Sequence, residues 1–223
     1  MRSLTIKNMK KWIYKANNEI EDPNQGGGVP IFLNMGPSNN EQWTLGGIKA
    51  IENKILFYSD IDSSSIVELN KLLIEVDIKL QNTKNTLGDD YNPVCHLHIN
   101  SNGGEIFSAF AAVDTIRQMK SKVYTYVEGA VASAGTLLSL AGDKRYMGKY
   151  SHLLIHQLSG GMYGKFNEME DEIYNCTALM KLLKTFYKEK TKMPMKKLEE
   201  ILTKDIWLSA DECLQYGIVD QII

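Results

Sequence analysis

Twice between residues 94 and 142 the chain runs the same course. An apolar run of β-formers, VCHLHIN (94–100), ends in the small turn SNGG (101–104). It gives way to EIFSAFAAVDTIRQMK (105–120), where Ile106, Phe110, Val113 and Ile116 form one helical stripe. KVYTYVE (122–128) then ends in GAVASAG (129–135), and TLLSLAG (136–142) reads as a helix with a glycine stop. A repeated strand, turn and helix demands an α/β architecture with much parallel sheet. Ligand sites in such sheets form outside the carboxyl ends of the strands. Both turns are therefore expected at the same sheet edge.

The flanking sequence fits that frame. KILFYSDI (54–61) reads as a buried strand, and Asp62 to Ser65 offer helix caps. Ile66, Leu69, Leu72, Leu73 and Val76 follow at helical spacing, and QNTKNTLGDDYNP (81–93) reads as a polar loop. Strand-like runs at KRYMG and SHLLIHQ precede a long helix from about Phe166 to Lys190. SADECLQYG (209–217) carries a capping box from Ser209 to Glu212 and a glycine stop, and IVDQII reads as a short strand. Residues 1–47 are set apart as an N-terminal arm, because EDPNQGGGVP is turn-rich and breaks regular structure. Residues 48–223 form the expected domain.

Charge and cysteine usage narrow the function classes. The 223 residues carry 25 basic and 27 acidic side chains, a net charge of −2. That balance gives no reason to expect nucleic acid or an anionic membrane as the main partner. Cys95, Cys176 and Cys213 lie far apart without a CxxC pair, so neither a disulfide framework nor a zinc site is implied. The N-terminus shows no signal-peptide pattern and no apolar run reaches spanning length, so a cytoplasmic location is expected. No GxxxxGK[ST] occurs, so no nucleotide site and no cofactor is expected.

GAVASAG poses the chemical question. Runs of small residues more often serve tight packing of helix on strand than a nucleophile turn, and both readings are open for Ser133. A serine hydroxyl attacks a carbonyl only when a base takes its proton, and N–H donors must meet the oxyanion. Ala134 after the serine and the pair Gly103-Gly104 are candidate donors. Of the four histidines, His96 and His98 share a strand face but have no third ligand at sensible spacing. His152 and His156 form HLLIH, which lacks the glutamate of a zincin motif. His156 follows an apolar run and precedes QLSGG, a strand end suited to a base. Asp205 in KDIWLSADE could be an orienting acid, although a local turn or cap is the commonest use of such an Asp, and spacing does not single it out among the acids.

Four segments, in order, resemble the ClpP family, the proteolytic subunit of the ATP-dependent Clp protease. HINSNGG is similar to the family's I-N-S-P-G-G, and EGAVASAGTLL to its nucleophile segment. LLIHQLSGG resembles M-I-H-Q-P-x-G-G, and DIWLSADECLQYGIVDQII resembles D-x-F-x-S-A-x-E-A-x-x-Y-G-L-I-D. The resemblance covers roughly residues 48 to 223. It implies a ClpP/crotonase-like ββα superhelical spiral with a protruding handle helix at about 166–190. It implies Ser133 as nucleophile, His156 as base, Asp205 as the acid that orients it, and the N–H groups of Gly104 and Ala134 as oxyanion hole. It further implies polypeptide substrates, heptameric rings stacked as a tetradecamer, and an AAA+ unfoldase partner. Asn102 and Leu158 stand where the family has proline, and the arm is longer than the family's N-terminal segment. Three rivals share parts of this pattern: a capsid-maturation protease, an inactive scaffold subunit and a crotonase-like acyl-CoA enzyme.

Overall fold

The computed structural model describes residues 47–223. The arm expected over residues 1–47 lies outside the described residues except for Gly47.

The β-formers do assemble as one sheet. β1 (Ile48–Ile51) pairs antiparallel with β2 (Lys54–Tyr58), which lies parallel to β3 (Val94–Ser101). β3 runs parallel to β4 (Lys122–Ala132), and β5 (Lys144–Met147) and β8 (Gln221–Ile222) continue the parallel order β2-β3-β4-β5-β8. β4 changes partner along its length. Its first half, Tyr124 to Val127, pairs with β5, and Ala130 to Ala132 pair with β6 (His152–Leu154). β6 in turn pairs antiparallel with β7 (Trp207–Ser209). The register of β3 on β4 shifts between Ile99 and Ser101, so that Ser101 pairs with Val131.

Strand alternation decides which face is covered. Cys95, Leu97 and Ile99 of β3, with Val123 and Val127 of β4, are fully buried. They pack against Ile66, Leu69, Leu73 and Val76 of α1 (Ser63–Leu87) and Ala109, Ala112 and Val113 of α2 (Ile106–Gln118). Each fully buried Leu or Ile contributes about 1.5–3 kcal/mol. The opposite face carries a half-buried ladder. His98 stacks on Tyr126 at a centroid distance of 4.3 Å, and Tyr126 on Tyr146 at 4.9 Å. His98 Nδ1 lies 2.6 Å from Glu128 Oε1, and the Tyr58 hydroxyl donates to the other oxygen of Glu128.

α1 runs further than the sequence pattern predicts. The polar stretch read as a loop from residue 81 continues the helix to Leu87, and Gly88 (φ +94°) ends it by donating to Lys84 O. Its start is the expected cap, with Asp62 accepting from the N–H of Ser65 at 2.7 Å. α3 (Gly135–Leu140) follows β4, α4 (Phe166–Lys190) is the expected long helix, and α6 (Ala210–Gln215) carries the Ser209–Glu212 box. Residues 195–202, unassigned by the sequence pattern, form α5 (Met195–Leu202) with Leu198, Ile201 and Leu202 inward.

Candidate active site

Ser133 directly follows β4 in a backbone conformation that side chains avoid, at φ +53°. Such a residue costs about 1–3 kcal/mol and persists only where its surroundings fix it. Three bonds do so. Its N–H donates to Leu154 O at 2.9 Å, and its carbonyl accepts from the N–H of Thr136 at 3.0 Å and from the Thr136 hydroxyl at 2.7 Å. The Thr136 hydroxyl also lies 2.5 Å from that of Tyr187 on α4, both fully buried. Burial holds the Tyr187 phenol above its ordinary range, so it stays a neutral hydroxyl.

The glycine turn after β3 wraps around this serine. A Cβ at Gly103 would stand 2.7 Å from Ser133 Cβ and 2.9 Å from Ala134 N. At Gly104 (φ +141°) it would stand 2.0 Å from Ile61 O. Gly103 O accepts from Ile61 N–H at 2.7 Å and Glu105 N–H donates to Ile61 O at 2.9 Å, which leaves the Gly104 N–H outside this ladder. Neither that N–H nor the Ala134 N–H has a hydrogen-bond acceptor among the described residues. Asn102, where the resemblance has proline, donates from Nδ2 to Asp60 Oδ1 at 3.2 Å.

Strand register brings in the histidine and the acid. β6 pairs with β7 as His152 to Ser209, Leu153 to Leu208 and Leu154 to Trp207. Carried two residues on, the same register sets His156 opposite Asp205. Their side chains meet with His156 Nδ1 3.3 Å from Asp205 Oδ1, His156 half-buried and Asp205 69% exposed. The backbone of the next residue is pinned by Gln157 N–H donating to Leu202 O at 2.9 Å. Leu158, the second departure from the family's prolines, uses the N–H that proline lacks: it donates to Met180 Sδ of α4 at 3.3 Å.

Ser133, His156, Gly104 and Ala134 line one cleft of about 200 Å³. The sequence-based candidates therefore converge, with Asp205 behind the histidine. The cleft also takes in Glu105, next to the glycine pair, and two residues that sequence reasoning did not place there, Leu183 and Tyr187 of α4. Leu183 and Tyr187 are four apart on one helical face, and a tyrosine facing inward implies a polar partner; that was the available signal. His96, by contrast, accepts or donates at Nδ1 to the Tyr126 hydroxyl at 2.8 Å, and no cluster of three or more metal-binding side chains occurs among the described residues. No helix among the described residues is long and apolar enough to cross a membrane.

The family model described as Clp protease matches residues 80–223, which include Gly104, Ser133, Ala134, His156 and Asp205. The ATP-dependent Clp protease proteolytic subunit of Deinococcus radiodurans is 34% identical over 139 residues, 60% of this chain and 68% of that protein. The ATP-dependent Clp protease proteolytic subunit 2 of Bacillus licheniformis is 34% identical over 129 residues, 57% of this chain and 68% of that protein. With a family match over more than half its length, the chain belongs to the Clp protease family and is a serine peptidase of that type.

Proposed function

We propose that the chain is an endopeptidase that cleaves polypeptides through Ser133, His156 and Asp205. The observation that carries this reading is the convergence in one cleft of a strained serine, a histidine backed by a carboxylate, and two N–H groups without acceptors among the described residues. An extended peptide would add to the free edge at residues 103–106 and pair its backbone there. His156 takes the Ser133 proton as the hydroxyl attacks the scissile carbonyl. Asp205 at Nδ1 holds the imidazole so that its other nitrogen faces the serine, and stabilises the imidazolium. The N–H groups of Gly104 and Ala134 would receive the oxyanion, a kind of donor worth about 2.7–4 kcal/mol in the transition state. His156 then protonates the leaving amine, and water releases the acyl group by the same steps in reverse.

Assembly belongs to the same proposal. Phe166, Ile173, Tyr174 and Leu182 leave large apolar surfaces of α4 exposed, and copies of the chain in stacked rings would cover them. Polypeptides would reach the enclosed sites through an ATP-dependent partner of the Clp type. The test is Ser133→Ala with a fluorophosphonate probe. The expected result is loss of peptide cleavage and of labelling at unchanged particle mass, and turnover equal to wild type in that variant sinks the assignment.

A further inference from the structure

The cleft is electrically one-sided. Its apolar lining is Ile106, Leu137, Leu158 and Leu183, with the neutral Tyr187 among them. Among the described residues that line it, Glu105 is the only acid and no lysine or arginine is present. The Glu105 carboxylate is positioned on both sides. Its backbone N–H is tied to Ile61 O at 2.9 Å, and Oε2 accepts from the Ser108 hydroxyl at 2.7 Å. Oε1 has no hydrogen-bond donor among the described residues. The neighbouring acids on this edge are engaged elsewhere: Asp60 accepts from Asn102, and Asp62 caps α1.

We infer that Glu105 sets charge specificity. It selects peptides with a lysine or arginine beside the residue that packs on the apolar lining, and disfavours those with an acid there. This rests on the peptidase reading above. The apolar lining takes an uncharged side chain, because a cation placed on Leu137 and Leu183 would be desolvated without a partner. A neighbouring residue of an extended peptide lies at the mouth, where Oε1 can pair with an ammonium or guanidinium. At that half-open position one attraction replaced by one repulsion amounts to about a 5-fold difference in kcat/KM, and it is screened by salt.

The test uses the full chain and internally quenched peptides with leucine fixed at the cleaved position. Lysine, glutamine or glutamate is placed in turn at each flanking position. At low salt one flanking position should show lysine over glutamate by about 5-fold, falling below about 2-fold near 1 M salt. Glu105→Gln should remove the preference and Glu105→Lys should reverse it. A ratio within about 2-fold at every position in the wild type, or one unchanged in Glu105→Gln, overturns the inference. Should the variants not fold, the salt dependence of the wild-type ratio decides. Fluorescence anisotropy of the labelled peptides reads the same ratio as Kd without turnover. Cleavage that survives in Ser133→Ala counts against Ser133 as the nucleophile and leaves the Glu105 inference untouched.

Discussion

His156 and Asp205 face one another because an antiparallel strand pair runs into them. The β6–β7 register continues past Leu154 and Trp207, and the two side chains close to 3.3 Å at its open end. The acid is 69% exposed, so the pair gains little stability from its charge. Its value lies in orientation. Asp205→Asn should therefore leave the melting temperature nearly unchanged and lower kcat by about 10²- to 10⁴-fold, the upper figure being that of a buried triad acid. Steady-state kinetics with thermal denaturation of the same samples checks this, and a kcat within 3-fold of wild type removes Asp205 from the mechanism.

That pairing also shows which part of the site the sequence could reveal. Ser133 and Gly104 sit in turns that directly follow strands, so local pattern sufficed to place both on one edge. Asp205 was not selectable by spacing, since its partner is chosen by the register of two segments separated by the whole of α4 and α5. α1 was cut short for a different reason. Its last turns are exposed and carry no apolar stripe, although Gln, Lys and Leu there are good helix formers. α5 did have a stripe, with Leu198, Ile201 and Leu202 at helical spacing, in a segment short enough to be read past.

Ser133 holds a left-handed conformation at φ +53°, and glycine is the residue that adopts it without strain. Ser133→Gly and Ser133→Ala should both abolish cleavage. The glycine variant should be the more stable of the two by about 1 kcal/mol, after allowing for the extra freedom glycine gives the unfolded chain. Urea denaturation of both variants makes the comparison, and an alanine variant at least as stable as the glycine one contradicts the strain.

Gly104→Ala tests the turn. Its Cβ would lie 2.0 Å from Ile61 O, a backbone atom that cannot swing aside. The turn must shift, and the Gly104 N–H moves with it. The expected outcome is a fall in kcat/KM of about 10²-fold or more, the size of losing one oxyanion donor. A variant with wild-type acylation by a fluorophosphonate would show that the turn tolerates the methyl and that its N–H is not needed.

On the other sheet face Glu128 links stability to pH. Burial alone would lift its carboxyl, but the hydrogen bonds from Tyr58 and His98 outweigh it and hold the group below its usual range. Burial and the same bond push the Tyr58 phenol up to about 12. A carboxylate only accepts, so His98 Nδ1 carries the proton in this contact. A lowered folded-state pKa means that the stabilisation is present above the unfolded value of about 4.3 and is lost as pH falls through the folded value. Glu128→Gln should cost about 1–2 kcal/mol at pH 7, and the cost should shrink as pH drops below about 4. Equal losses at both pH values in chemical denaturation would assign the effect to packing instead.

Met180 offers a last test, of how the long helix holds the strand end that carries the histidine. Leu158 N–H has the Met180 thioether as its acceptor at 3.3 Å, two residues after His156. Met180→Leu keeps the side-chain volume and removes the sulfur, which leaves that N–H without its partner. The expected cost is about 1 kcal/mol, with a lower kcat because residues 157–159 line the same cleft as His156. Leu158→Pro deletes the N–H itself. Once the donor is gone, the loss of its acceptor no longer matters, so adding Met180→Leu to Leu158→Pro should cost less than Met180→Leu does alone. The difference is the coupling energy of a double-mutant cycle, expected at about 0.5–1 kcal/mol. Additive losses would mean that Met180 serves α4 by packing alone and has no hold on the histidine segment.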